Sequence, residues 1–148
     1  MEGHEDDLGP IDVVVIAWPA DAPKTGDALP HLIQLVDDGI IRILDVLFVM
    51  KEEDGRFYGF EARDLPGKGL DSFSEFEGAS SGILGGAETE MAAEAIEPGT
   101  AAVLIMYENR WAVPFASAVR ANGGQLIANE RIAPDDLLAA IEAIEATA

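Results

Sequence analysis

The chain has 148 residues, 49% of them hydrophobic, and its 28 acidic against nine basic residues give a formal net charge of -19. A surface this acidic repels phosphate backbones and anionic headgroups, because both counterion release and electrostatic steering need cations on the protein, so nucleic acid and membranes are poor candidate partners. The absence of cysteine excludes disulfides, thiolate metal sites and cysteine nucleophiles, and the length fits one domain with one core.

Residues 1–10 read as a flexible acidic tail ending at Gly9-Pro10, in which His4-Glu5-Asp6-Asp7 is a solvated charge run rather than a metal trap. The N-terminus lacks the basic patch and apolar core of a signal peptide, and no apolar run approaches the roughly 20 residues of a membrane helix, which points to a cytoplasmic protein. Residues 11–148 follow as the single domain. Ile11 to Trp18, with Val13-Val14-Val15-Ile16 uninterrupted, reads as a central strand buried on both faces. Asp27 is placed to cap a helix with Pro30 in its first turn, an apolar face of Leu29, Leu32, Ile33 and Val36, and Gly39 as its stop. His31 on that helix is a weak catalytic candidate, since a lone histidine on an amphipathic helix is normally a rim residue.

Ile41 to Met50 is the longest β-type run, and Glu52-Glu53-Asp54-Gly55 signals a hairpin turn to a partner strand, 56–62, with Tyr58 and Phe60 on one face. The three acids lack the alternating ligand pattern of a calcium loop, and no metal or cofactor is expected. Asp45 interrupts the apolar run and needs a partner if buried: either a bulge or edge aspartate paired with Arg42 or Arg63, or a functional carboxylate under an apolar lid. Residues 66–98 read as an insertion or cover with a helix at 88–96. Its stretch Gly-Ala-Ser-Ser-Gly-Ile-Leu-Gly-Gly fails as a phosphate loop for want of a Gly-Lys-Ser/Thr ending or a nearby cation.

Glu97-Pro98-Gly99-Thr100 turns into a strand, Ala101 to Tyr107, which runs straight into a helix. The junction carries the candidate site: Tyr107, Asn109, Arg110 and Trp111 as ligand-binding residues and Glu108 as a base if burial raises its pKa, with Asp45 and His31 as outside contributors. The alternative is packing alone, with Trp111 and Phe115 in the core, Asn109 as a helix cap and Glu108 with Arg110 as a surface ion pair. Pro114 should distort the first turn of that helix, whose face is Trp111, Phe115, Ala118 and Val119. Asn122-Gly123-Gly124 ends it, residues 125–132 read as a last strand, and a final helix from Pro134 carries the stripe Leu137, Leu138, Ile141 and Ile144.

Setting aside the hairpin strand and the insertion leaves two β-α-β units and a C-terminal helix, an α+β ferredoxin-like βαββαβ plait with 11–18 and 101–107 as its central strands and helices on one face. The open face would be covered by the 66–98 insertion, by the C-terminal helix or by dimerisation.

The combination IRILDVLFVMKEEDG followed by AIEPGTAAVLIMYENRWAVPFASAVRANGGQLIANERI resembles the uncharacterised bacterial family known as domain of unknown function 6325, and more distantly the 1269 family. The likeness runs from Gly9 onward and is most specific at Glu97-Pro98-Gly99, at Glu108, Trp111, Pro114 and Phe115, and at Gly123-Gly124, with Ala133 standing before Pro134 where the family tends to have proline directly after Arg-Ile. The resemblance implies a small cytoplasmic α+β protein and supplies no activity and no functional residues. Two readings remain. One is a non-catalytic accessory or binding module that associates with itself as a homodimer or higher, with another protein as a further partner. The other is a small plait-fold enzyme or ligand-binding protein with an apolar pocket near residues 107–111.

Overall fold

The computed structural model describes residues 8–18, 28–61, 81–128 and 130–147. In chain order these form β1 (Ile11–Trp18), α1 (Leu29–Asp37), β2 (Ile41–Lys51), β3 (Phe57–Glu61), α2 (Gly86–Ala95), β4 (Ala101–Asn109), a 3-10 turn (Arg110–Ala112), α3 (Val113–Ala121) and α4 (Pro134–Thr147). The strands make one antiparallel sheet in the order β1-β4-β2-β3.

Residues facing one another across antiparallel strands share a side of the sheet, and this pairing sorts the core into two layers. On one side Ile41, Ile43, Val46, Val103 and Ile105 are buried beneath Leu32 and Val36 of α1, with Val14, Trp18, Phe48 and Tyr107 at the margin. On the other, Leu47, Val49 and Leu104 pack against Leu84 and against Ala92 and Ala93 of α2. Alanine is what lets α2 lie close to the sheet. Its C-terminal carbonyls are met by a cation: the Lys51 Nζ donates to the carbonyls of Ala93 at 2.9 Å and Ile96 at 3.1 Å, where the helix dipole favours positive charge.

Within the expected insertion, then, the helix covers the sheet face opposite α1, so the helices are not confined to one face as a plait arrangement predicts. Residues 62–80, and with them Arg63, lie outside the described residues, as does the expected cap Asp27. The hairpin turn forms as expected: Gly55 adopts a φ of 91°, and the Glu52 amide donates to the Arg56 carbonyl at 2.7 Å. Gly39, with φ 72°, stops α1.

Two expectations fail at the other edge of the sheet. Residues 125–132 form no strand among the described residues, and β1 is therefore an edge strand rather than a central one. Ile11, Val13, Val15 and Ile16 are each about two-fifths exposed, whereas β4, paired on both sides, buries Ala102 to Ile105. A run of four β-branched residues has the composition of a doubly covered strand, but coverage depends on neighbours that the run itself does not encode.

After β4 the chain does not enter an α-helix directly. The 3-10 turn intervenes, and Pro114 then sits in the first turn of α3, where its missing N–H would have had no intrahelical partner. α4 forms as expected, with Asp135 and Asp136 in its first turn, yet none of its residues is buried. Among the described residues no helix is long and apolar enough to cross a membrane.

Candidate functional site

Alternation along β4 divides the junction in two. Tyr107 and Asn109 point to the α1 side of the sheet, and Glu108 between them points to the other, so the five residues 107–111 serve two clusters.

In the first cluster the Asn109 side chain is the hub. Its Nδ2 donates to the Pro10 carbonyl at 3.0 Å and to Asp12 Oδ2 at 2.9 Å, and its Oδ1 accepts from the Trp111 indole Nε1 at 3.1 Å. Arg131 closes the group, donating through Nη2 to Asp12 Oδ2 and to the Tyr107 hydroxyl at 2.8 Å. The Asp12 hydrogen bond leads the effects that raise the Arg131 pKa above its ordinary value. Pro10, Asp12, Asn109, Trp111, Glu130, Arg131 and Ile132 line a shallow cleft of about 320 Å³.

Asn109 is thus not a helix cap: it makes no capping hydrogen bond, and its polar groups tie the β1 entry to the junction. Nor are Trp111 and Phe115 core residues, being 65% and 73% exposed. The 3-10 turn interrupts the helix expected directly after Tyr107 and leaves Ala112 and Ala116 as the inward residues.

The second cluster is centred on Glu108, whose side chain is fully buried. It accepts from the Gly9 amide at 2.7 Å and from Arg42 Nε at 2.9 Å, with Arg110 Nη1 more distant at 3.4 Å. Arg42 stands directly across from Glu108 in the β2–β4 ladder. The expected surface pair with Arg110 is therefore a minor part of a buried carboxylate held by a cross-strand arginine and a backbone amide. Gly9 itself must be glycine, since an added Cβ would strike the Asn109 carbonyl oxygen.

Asp45 lies elsewhere, 2% exposed at the bulge in the β2–β4 register. The bulge is as expected; of the two arginines expected as partners, Arg42 pairs with Glu108 and Arg63 lies outside the described residues. Asp45 accepts from three backbone amides, those of Val46 at 3.0 Å, Ser81 at 3.2 Å and Leu84 at 2.7 Å, and so anchors the loop that leads into α2. The Ser81 hydroxyl adds a bond to the Leu44 carbonyl at 2.6 Å. His31 is exposed on α1 and belongs to none of these clusters.

The structure therefore unites Tyr107, Asn109 and Trp111, assigns Glu108 and Arg110 to a separate ion cluster, and leaves Asp45 and His31 apart. Asp12 and Arg131 were missed. Asp12 carried the same signal as Asp45, an acid inside an apolar strand, whereas Arg131 had no local signal because only the return of the chain brings it to Asp12. A wider concavity of about 640 Å³ on the hairpin is lined by Glu52, Asp54, Arg56, Phe57 and Tyr58. Its polar groups satisfy one another, with Arg56 on Asp54 and the Tyr58 hydroxyl on Glu52, each at 2.7 Å. Among the described residues no three His, Asp or Glu side chains are grouped to hold a metal ion.

These features define a small α+β protein in which a four-stranded antiparallel sheet carries helices on both faces. The sequence profile of the family of unknown function DUF6325 matches residues 7–147, and the chain belongs to that family. No curated protein and no solved structure matches it.

Proposed function

We propose that the protein is a cytoplasmic, non-catalytic module that acts as a homo-oligomer. The observation that carries this reading is α4, a helix with four large aliphatic side chains and no buried residue. Isolated helices of about 12–15 residues are marginal in water, and the 14 residues of α4 need an apolar partner surface to persist. The half-exposed apolar side chains of β1 and the exposed Trp111 and Phe115 point the same way, since monomers rarely leave large contiguous apolar patches in water. Native mass measurement at micromolar concentration tests the reading: a dimer or higher species is expected, and a monomer throughout that range overturns it.

A second reading, a small-molecule site, rests on the convergence of Asp12, Tyr107, Asn109, Trp111 and Arg131 around one cleft. The cleft is polar and near the lower size limit for ligand sites of about 300 Å³, which suits a small ligand with hydrogen-bonding groups and an aromatic-stacking face. A fragment screen followed through the Trp111 indole resonance is expected to yield binders that shift it. A screen whose binders all leave that resonance unmoved removes this reading.

A further inference from the structure

We infer that the cleft between the start of β1 and residues 130–132 takes a small organic cation, an amine or guanidinium carried on a flat apolar body. This rests on the small-molecule reading of that cleft and names its ligand class. The class follows from which polar groups the protein has already used. Asn109 Nδ2 gives one hydrogen to the Pro10 carbonyl and one to Asp12, and the Trp111 indole N–H is committed to Asn109 Oδ1. Arg131 Nη2 is committed to Asp12 and to the Tyr107 hydroxyl.

What stays open is mostly acceptor. Asp12 receives both of its bonds at Oδ2, which leaves Oδ1 without a donor among the described residues. The exposed Glu130 carboxylate makes no hydrogen bond or ion pair among them. Against these acceptors stand only the Nε and Nη1 donors of Arg131, whose charge is already set against Asp12. Two carboxylates and one guanidinium line the cleft, so its own charge is negative, and the chain's net charge of -19 adds a field of the same sign. An anion approaching Arg131 climbs that field to reach a guanidinium that is already paired. A cation descends it and meets two open carboxylate oxygen sites.

The aromatic group agrees with the charge. Trp111 is exposed and its one polar atom is taken, so what it offers a ligand is the ring, whose π-face attracts a cation. Pro10 and Ile132 supply the rest of the apolar lining.

Benzylamine, benzyl alcohol and benzoate share one ring and differ in charge, so titrating each into the protein at fixed ionic strength reads the preference of the cleft. The signal is the indole N–H resonance of Trp111, with Trp18, the second tryptophan, as the internal control. Benzylamine is expected to move Trp111 saturably, to leave Trp18 in place, and to bind at least about tenfold more tightly than the other two. Glu130→Gln is expected to weaken benzylamine about threefold. Glu90→Gln makes the same change in net charge at an exposed position on α2 and should leave binding unchanged. Benzyl alcohol or benzoate binding at Trp111 as tightly as benzylamine overturns the cation preference and spares the cleft as a ligand site. Equal weakening by the two variants also overturns it, because diffuse attraction to an acidic chain then accounts for the binding. A Trp111 resonance that benzylamine leaves unmoved overturns the inference outright, and only failure of the fragment screen as well removes the small-molecule reading.

Discussion

Glu108→Ala is expected to lower the unfolding free energy by about 3 kcal/mol in chemical denaturation. The carboxylate is fully buried and serves two purposes at once, accepting the Gly9 amide that brings the N-terminal segment across the sheet end and holding Arg42 across the strand pair. Its removal strands the Gly9 donor and leaves Arg42 with no anion. The Arg42 side chain is about half exposed, so water recovers part of its solvation, which keeps the expected loss near the low end of the roughly 3–5 kcal/mol for breaking a buried pair. Glu108→Gln keeps the volume and one acceptor oxygen and should cost about half as much. A Glu108→Ala protein within about 0.5 kcal/mol of the parent, the range of ordinary surface substitutions, would show that the cluster contributes nothing to stability.

A loss of similar size, about 2–4 kcal/mol, is expected for Asp45→Ala, because three backbone donors lose their acceptor together. Ser81 is exposed and its amide can turn to water; Leu84 is buried, and its amide cannot. The effect should therefore centre on the loop into α2, and hydrogen exchange at the Leu84 amide should accelerate along with the loss of stability. Asp45→Asn retains one carboxylate-like acceptor and is expected to lose about 1–2 kcal/mol. Unchanged exchange at Leu84 in the alanine variant contradicts the anchoring role.

The paired strands were legible because their signals are local. Ile41–Lys51 and Phe57–Glu61 declare themselves by apolar alternation around a Gly-containing turn, and α1 by its stripe, Pro30 and Gly39. The cover for the second sheet face was also legible as a cover, with Ala92 and Ala93 marking its inward side once the sheet is known. What failed depends on neighbours. β1 was read as central from Val13 to Ile16, yet its position is decided by whether residues 125–132 pair beside it. The Glu108–Arg42 pair joins residues 66 positions apart and is created by strand register. Local reading offered the adjacent Arg110 instead, which stands farther off. Trp111 and Phe115 were assigned to the core by their chemistry, and a single 3-10 turn was enough to present them to solvent.

The family assignment extends over 7–147 and carries no activity with it, so function rests on the surfaces the fold leaves uncovered. Of these, α4 makes the strongest demand, because a 14-residue helix with exposed leucines and isoleucines is stable only against something else. Hydrogen exchange of the backbone amides of residues 138–145, measured across a series of protein concentrations, puts that demand to the test. Protection that rises with concentration and saturates as the dimer forms is the predicted result. Protection that is the same at every concentration would mean that α4 finds its partner within its own chain, and self-association would no longer explain the molecule.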